Sequence, residues 1–111
     1  MKASCQDFDH IAVVTISGEF TADDQDAFAR VLGDRIGKAT RHVVVDCQNL
    51  EFVDGKGLET LLDLQERLGS AGGQMRLVKP DDTIRTILRL TRLELALESH
   101  ETLEGAVRSL R

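Results

Sequence analysis

Residues 42–69 read HVVVDCQNLEFVDGKGLETLLDLQERLG, and the hydrophobic pattern changes period once within them. His42 to Cys47 is a β-branched run too short for a helix, bounded by Thr40-Arg41 before and Gln48-Asn49 after, so it reads as a strand. From Leu58 the apolar positions are Leu58, Leu61, Leu62, Leu64 and Leu68, a broad helical face, and Gly69 stands just past its end. A strand, a loop and a helix in that order suggest an α/β arrangement, and the flanking sequence repeats the alternation.

Upstream, Ile11 to Ile16 (IAVVTI) reads as a buried strand ending in a turn at Ser17-Gly18. Lys2 to Phe8 pairs with it as an edge strand across a tight turn at Asp9 and His10. Phe28, Val31, Leu32 and Ile36 share one helical face, and Asp23, Asp24 and Asp26 load the first turns with the charge that a helix N-terminus favours. The spacing predicts a helix from about Ala22 to Ile36 with Gly37 at C′.

Downstream, Ser70 to Gly73 forms a loop, Gln74 to Lys79 a strand, and Pro80 stops it. Asp81 and Asp82 open a helix with Ile84, Ile87, Leu88 and Thr91 on one side and Arg85, Arg89 and Arg92 on another. Leu95 to Glu98 reads as a short closing strand, and Thr102 caps a last helix through Ala106, Val107 and Leu110. The order ββαβαβαβα predicts an α/β fold for the single domain 1–111. It has a mixed, mostly parallel sheet, one antiparallel edge pair and four helices.

With 111 residues, 41% of them hydrophobic, the chain can bury one core without staples. Nineteen Asp+Glu against 14 Lys+Arg give a net charge of −5, and the only aromatics are four Phe, so stacking on bases and binding to phosphate backbones are both disfavoured. Five basic and ten acidic residues in the first 55 carry the deficit, whereas Arg76 to Arg92 is net positive by three. Cys5 and Cys47 lack any ligand spacing and read as small apolar fillers in a reducing compartment. No apolar run approaches the roughly 18 residues of a membrane span and no leader is visible, so a cytoplasmic protein without membrane insertion is expected.

Enzyme chemistry finds little to stand on. His10, His42 and His100 fall at a turn, a strand start and a strand end, no GxSxG elbow occurs, and no metal-ligand spacing is present. Neither a metal nor a cofactor is expected. Asp54-Gly55-Lys56-Gly57 is the informative segment, because it opens the helix that follows His42 to Val53. Free N–H groups and the positive dipole end make such a place an anion site. Yet GxxxxGK[ST] fails at Gly57-Leu58, and GxGxxG fails because Thr60 stands at the third glycine. A capped turn explains Asp54 and the glycines, but a cation at Lys56 runs against the dipole by a few tenths to about 1 kcal/mol.

Ile16-Ser17-Gly18-Glu19-Phe20, then His42 through Leu58, then Gly72-Gly73-Gln74-Met75 and Leu93 resemble the STAS domain of bacterial anti-sigma-factor antagonists. The resemblance runs from about Asp7 to Leu110, and its most specific part is a hydrophobic strand, an N/D-L-x-F-[VM]-D turn and a small-residue loop ending in Gly-Leu. It implies a non-enzymatic module that captures an anti-sigma factor, itself a kinase-fold protein, and is released when a loop Ser or Thr is phosphorylated. Typical members write that loop D-S-[ST]-G-L. Here Asp54, Gly57 and Leu58 match, but Gly55 and Lys56 take the two middle places, so the phosphoacceptor position holds a residue that no Ser/Thr kinase modifies. A constitutive antagonist, a scaffold, or a member regulated elsewhere are the resulting readings. Thr60, four residues beyond Lys56 on the same helical face, is the other phosphorylation candidate.

The expected partner-contact residues are Asp54, Gly55, Lys56, Gly57 and Thr60, with Glu19, Asp23 and Asp24 outside them in a preceding loop. Phe52, Val53, Leu58 and Leu62 are expected to anchor the loop on the core. The alternative is a small-molecule module for nucleotide- or lipid-related ligands, or a transporter-associated one.

Overall fold

In a computed structural model, which describes residues 1–36 and 38–110, five strands form one sheet in the order β1-β2-β3-β4-β5. They are β1 (Lys2–Phe8), β2 (Ile11–Phe20), β3 (His42–Val53), β4 (Met75–Val78) and β5 (Ser99–His100). The helices are α1 (Gln25–Leu32), preceded by a 3-10 turn at Ala22–Asp24, α2 (Gly55–Ser70), α3 (Asp82–Leu90) and α4 (Leu103–Ser109). β1 and β2 pair antiparallel and every other pair is parallel, as the element order requires.

The apolar run of β3 is continuous because both faces of the strand are covered. Val43, Val45 and Cys47 point into the main core with Phe28 and Leu32 of α1, Leu61, Leu64 and Leu68 of α2, and Ile84 and Leu88 of α3. Val44 points the other way, into a small cluster with Val13, Val78 and Ala106 of α4. Three helices thus cover one face and α4 covers part of the other.

The structure extends both central strands beyond the sequence expectation. β2 does not end at Ser17-Gly18, and β3 does not end at Cys47. Thr15 pairs with Asp46 but Ser17 with Asn49, and Gly18 pairs with Leu50 but Glu19 with Phe52, so β3 carries an extra residue at two places. Such bulges break the two-residue alternation that marks a strand. Gly18 accommodates the irregularity with φ +82°.

Helix α1 stops at Leu32, four residues before the predicted end. Gly33, at φ +59°, donates its N–H to Ala29 O at 2.9 Å, and the Arg35 guanidinium donates to the carbonyls of Val31 (2.8 Å) and Leu32 (3.0 Å). The C′ assignment of Gly37 lies outside the described residues. Gly69 falls inside α2, which runs to Ser70 before Ala71 caps it. β4 is trimmed to Met75–Val78, and the closing strand lies at Ser99–His100 rather than Leu95–Glu98, where Leu95 is 93% exposed and Leu97 alone enters the core. No helix among the described residues is long and apolar enough to cross a membrane.

Candidate functional site

The end of β3 and the start of α2 are tied to the end of β2 and to the 3-10 turn after it. Asp54 is the N-cap of α2, and its Oδ1 accepts the Gly57 N–H at 2.8 Å. Its Oδ2 accepts the Ala22 N–H at 3.2 Å, and its own N–H donates to Phe20 O at 3.1 Å. One carboxylate therefore ties the helix start to the 3-10 turn that follows β2.

Gly57 is buried, and a Cβ built there would lie 2.5 Å from Phe20 O and 2.6 Å from Val53 Cγ2. Only glycine lets α2 approach the strand ends this closely. Val53 and Leu58 are buried and Leu62 packs partly against the core, as the anchoring reading expects.

Gly55 and Lys56 are exposed on the first turn of α2. Lys56 has a local counter-ion, Glu59 Oε2 at 3.3 Å one turn on, with both side chains more than half exposed. The pair offsets the unfavourable charge–dipole term, although an exposed pair contributes at most about 1 kcal/mol. Sequence spacing of three could have found Glu59. Thr60 is half-buried: its hydroxyl donates to Lys56 O at 2.9 Å and accepts from Gln25 Nε2 at 3.0 Å, so it fastens α2 to the first turn of α1.

The outer candidates separate. Glu19 is exposed but lies within β2, opposite Phe52, not in a loop, because the bulges carry the strand past Gly18. Asp23 is exposed. Asp24 turns inward, where its Oδ2 accepts from the Thr21 N–H (2.9 Å) and hydroxyl (3.2 Å). The Thr21 N–H holds the Asp24 carboxyl below the usual carboxylate range. Phe52, expected to anchor the loop, is instead 42% exposed, because the second bulge turns it out beside Thr83, Thr86 and Ile87 of α3. An exposed aromatic at this position is hidden from a reading that assumes regular alternation.

Among the described residues no hydrogen bond joins a histidine ring to a Ser, Thr or Cys side chain. His100, in β5, has its Nε2 2.9 Å from Oε2 of Glu98 just before that strand, whereas His10 and His42 meet at the opposite end of β3 from Asp54. Among the described residues no group of three or more His, Cys, Asp or Glu could hold a metal ion.

The molecule is a small α/β domain that holds the start of α2 against the end of β2 and leaves Gly55, Lys56 and Phe52 on its surface. The STAS domain profile matches residues 2–106, and the chain belongs to that family. An anti-sigma factor antagonist from Mycobacterium paratuberculosis shares the fold at TM-score 0.83 and 26% identity, covering 97% of this chain and 92% of that one. The unphosphorylated anti-sigma factor antagonist SpoIIAA of Bacillus superposes at TM-score 0.81 with 18% identity, over 96% and 93% of the two chains. A Thermotoga maritima protein provisionally named an anti-sigma factor antagonist is 20% identical over 104 residues, 93% of this chain and 92% of its own.

Proposed function

We propose that this chain is a non-enzymatic binding module of the anti-sigma factor antagonist type, acting in the cytoplasm on a kinase-fold anti-sigma factor. The contact surface is the start of α2, with Gly55 and Lys56 at its centre, Thr60, Glu19 and Asp23 around it, and Asp54, Gly57 and Asp24 holding it in place. The observation that carries the reading is an exposed ammonium, Lys56, on a helix turn held by the Asp54 cap and by the close seating of Gly57 on Phe20 and Val53.

In the resembling family a phosphate at this position adds about −1.5 to −2 charges and releases the partner. Lys56 supplies a positive charge and no acceptor hydroxyl, so binding through it is constitutive with respect to that loop. Thr60 remains the other place for a phosphate. A nucleotide at the helix start is not favoured, since the Asp54 carboxylate already occupies the Gly57 N–H that a phosphate would use.

The test is calorimetric titration of the purified chain with the kinase-fold anti-sigma factors of its own genome, followed by ATP and mass spectrometry. Wild type should bind and stay unmodified at residues 54–58. Lys56→Glu should bind at least about tenfold more weakly, and Lys56→Ser should acquire a phosphate at the new hydroxyl. Equal binding by Lys56→Glu, together with no modification of Lys56→Ser, refutes the assignment.

A further inference from the structure

At the far end of β3 from Lys56, the sheet face that α4 only partly covers holds a groove of about 490 Å³, within the size range of small-ligand pockets. Phe8, Ile11, Val13, Leu103, Val107 and Leu110 line it, and three of these are unusually open for apolar side chains: Phe8 at 54%, Leu103 at 39% and Val107 at 37%. The groove is therefore apolar along its length and already formed.

Its polar residues gather at one end, where the β1–β2 turn meets the start of β3. Arg41, His10 and His42 stand there against a single carboxylate, Asp9, in a chain whose net charge is −5. Arg41 is exposed and uses its Nε on Gly72 O at 3.0 Å, which leaves the terminal nitrogens of the guanidinium for a ligand.

His42 is 6% exposed and shares the α4 side of the sheet with Val44. Its Nδ1 lies 3.0 Å from the Gln74 N–H, and since a backbone N–H only donates, Nδ1 accepts and the neutral ring carries its proton on Nε2. Burial keeps the ring neutral by pushing its pKa below the ordinary value, and Arg41, Arg76 and His10 add to that effect. Nε2 has no hydrogen-bond partner among the described residues, yet no fully buried side-chain polar atom is unsatisfied, so the N–H opens toward the groove that His42 lines. A donor that reaches solvent beside an apolar trough is available to an acceptor lying in the groove.

We propose that this groove binds one molecule of an aliphatic carboxylate, its chain along Phe8, Val13, Leu103 and Val107 and its head group accepting from His42 Nε2–H and Arg41. The basic end selects an anionic head, and the trough selects a single unbranched chain. The site is separate from the Lys56 surface and does not depend on the reading of that surface.

Titration calorimetry and backbone NMR with laurate below its micelle-forming concentration provide the test. Saturable one-to-one binding is expected, with shifts at residues 8–13, 41–42 and 103–110 and none at 54–60. Arg41→Ala should weaken binding by about tenfold, the usual effect of losing a charge-assisted hydrogen bond. Val107→Glu, at an already exposed position, should abolish it while leaving the melting temperature close to wild type. Dodecyl maltoside and dodecyltrimethylammonium, which have the same chain without the anion, should bind at least about tenfold more weakly than laurate. Equal binding of all three amphiphiles, unchanged binding by Val107→Glu, binding only to anionic vesicles, or a dimer in light scattering that buries this face would each overturn the proposal.

Discussion

Replacing Gly57 with Ala tests whether α2 sits against β2 as closely as described. The added carbon would lie 2.5 Å from Phe20 O and 2.6 Å from Val53 Cγ2. The valine methyl could rotate away, but Phe20 O accepts the Asp54 N–H at 3.1 Å, and Phe20 itself is fully buried, its ring tilted against that of Phe28 with centroids 5.0 Å apart. Overpacking of this kind costs about 1–3 kcal/mol, and the obstacle being backbone places it toward the upper end. Alanine recovers up to about 1 kcal/mol of helix propensity, leaving a net loss of about 2 kcal/mol. For a chain of this size that is a fall in Tm of roughly 5–12 °C. Gly55→Ala, with nothing within 4 Å of its new carbon, is the internal control and should be neutral or slightly stabilising. Urea denaturation of both variants measures the difference. A Gly57→Ala protein within about 0.5 kcal/mol of wild type would mean that the helix start is not seated on the strand ends, and the rigidity argument for Lys56 would go with it.

Two further outcomes follow from the same contacts. Asp54→Ala should lose about 1–2 kcal/mol, the range for an N-cap, and should speed amide exchange at Ala22–Asp24 while the β3 amides keep their protection; unchanged exchange there would deny the bridge to Ala22. Burial pushes the Cys47 thiol up to about 12, so the folded chain holds that proton more tightly than the unfolded one. Stability from the neutral thiol is full below about pH 9 and falls as pH rises toward 12, by roughly 1–2 kcal/mol between pH 9 and 10.5. Urea midpoints across that interval should therefore fall less for Cys47→Ala than for wild type, and parallel slopes would contradict the burial.

How far the sequence could be read depended on whether each element kept its period. The first half of β3, α2 from Leu58 to Leu68 and the Thr102 cap of α4 were legible because side-chain spacing, propensity and terminal residues agreed. From Ser17 to Phe20 and from Gln48 to Val53 they disagreed. Two extra residues in β3 shift the buried positions to Leu50 and Val53, three apart, so neither the two-residue nor the helical pattern fits and the segment reads as loop. The same slip turned Phe52 outward and placed Glu19 in a strand. Helix α1 was overextended because Ile36 fits the helical spacing, yet Gly33 breaks the helix and Ile36 reaches the core from beyond it. The apposition of His10, Arg41 and His42 was invisible for another reason: it joins a turn to a strand start about thirty positions away, and no local pattern encodes a parallel pairing register.

Lys56 illustrates how a sequence anomaly changes meaning once its neighbours are placed. Read alone, a cation at a helix start breaks a rule and invites a functional explanation. In the structure the Asp54 carboxylate lies on the same turn, 2.8 Å from the Gly57 N–H, and Glu59 reaches Lys56 Nζ at 3.3 Å. The local field is therefore close to balanced, and the charge alone says little. What distinguishes Lys56 is its address: exposed, on the first turn of α2, which Asp54 and Gly57 hold against the end of β2 and the turn that follows it. A phosphoacceptor at that address could alternate between neutral and about −2, whereas lysine offers no hydroxyl through which a kinase could switch its charge. If the partner meets this surface with carboxylates, substituting Lys56 by a neutral residue weakens the encounter and a negative one repels it. The ordering Lys, then Ser or Gln, then Glu in association rate, steepening at low salt, separates an electrostatic contact from a merely steric one.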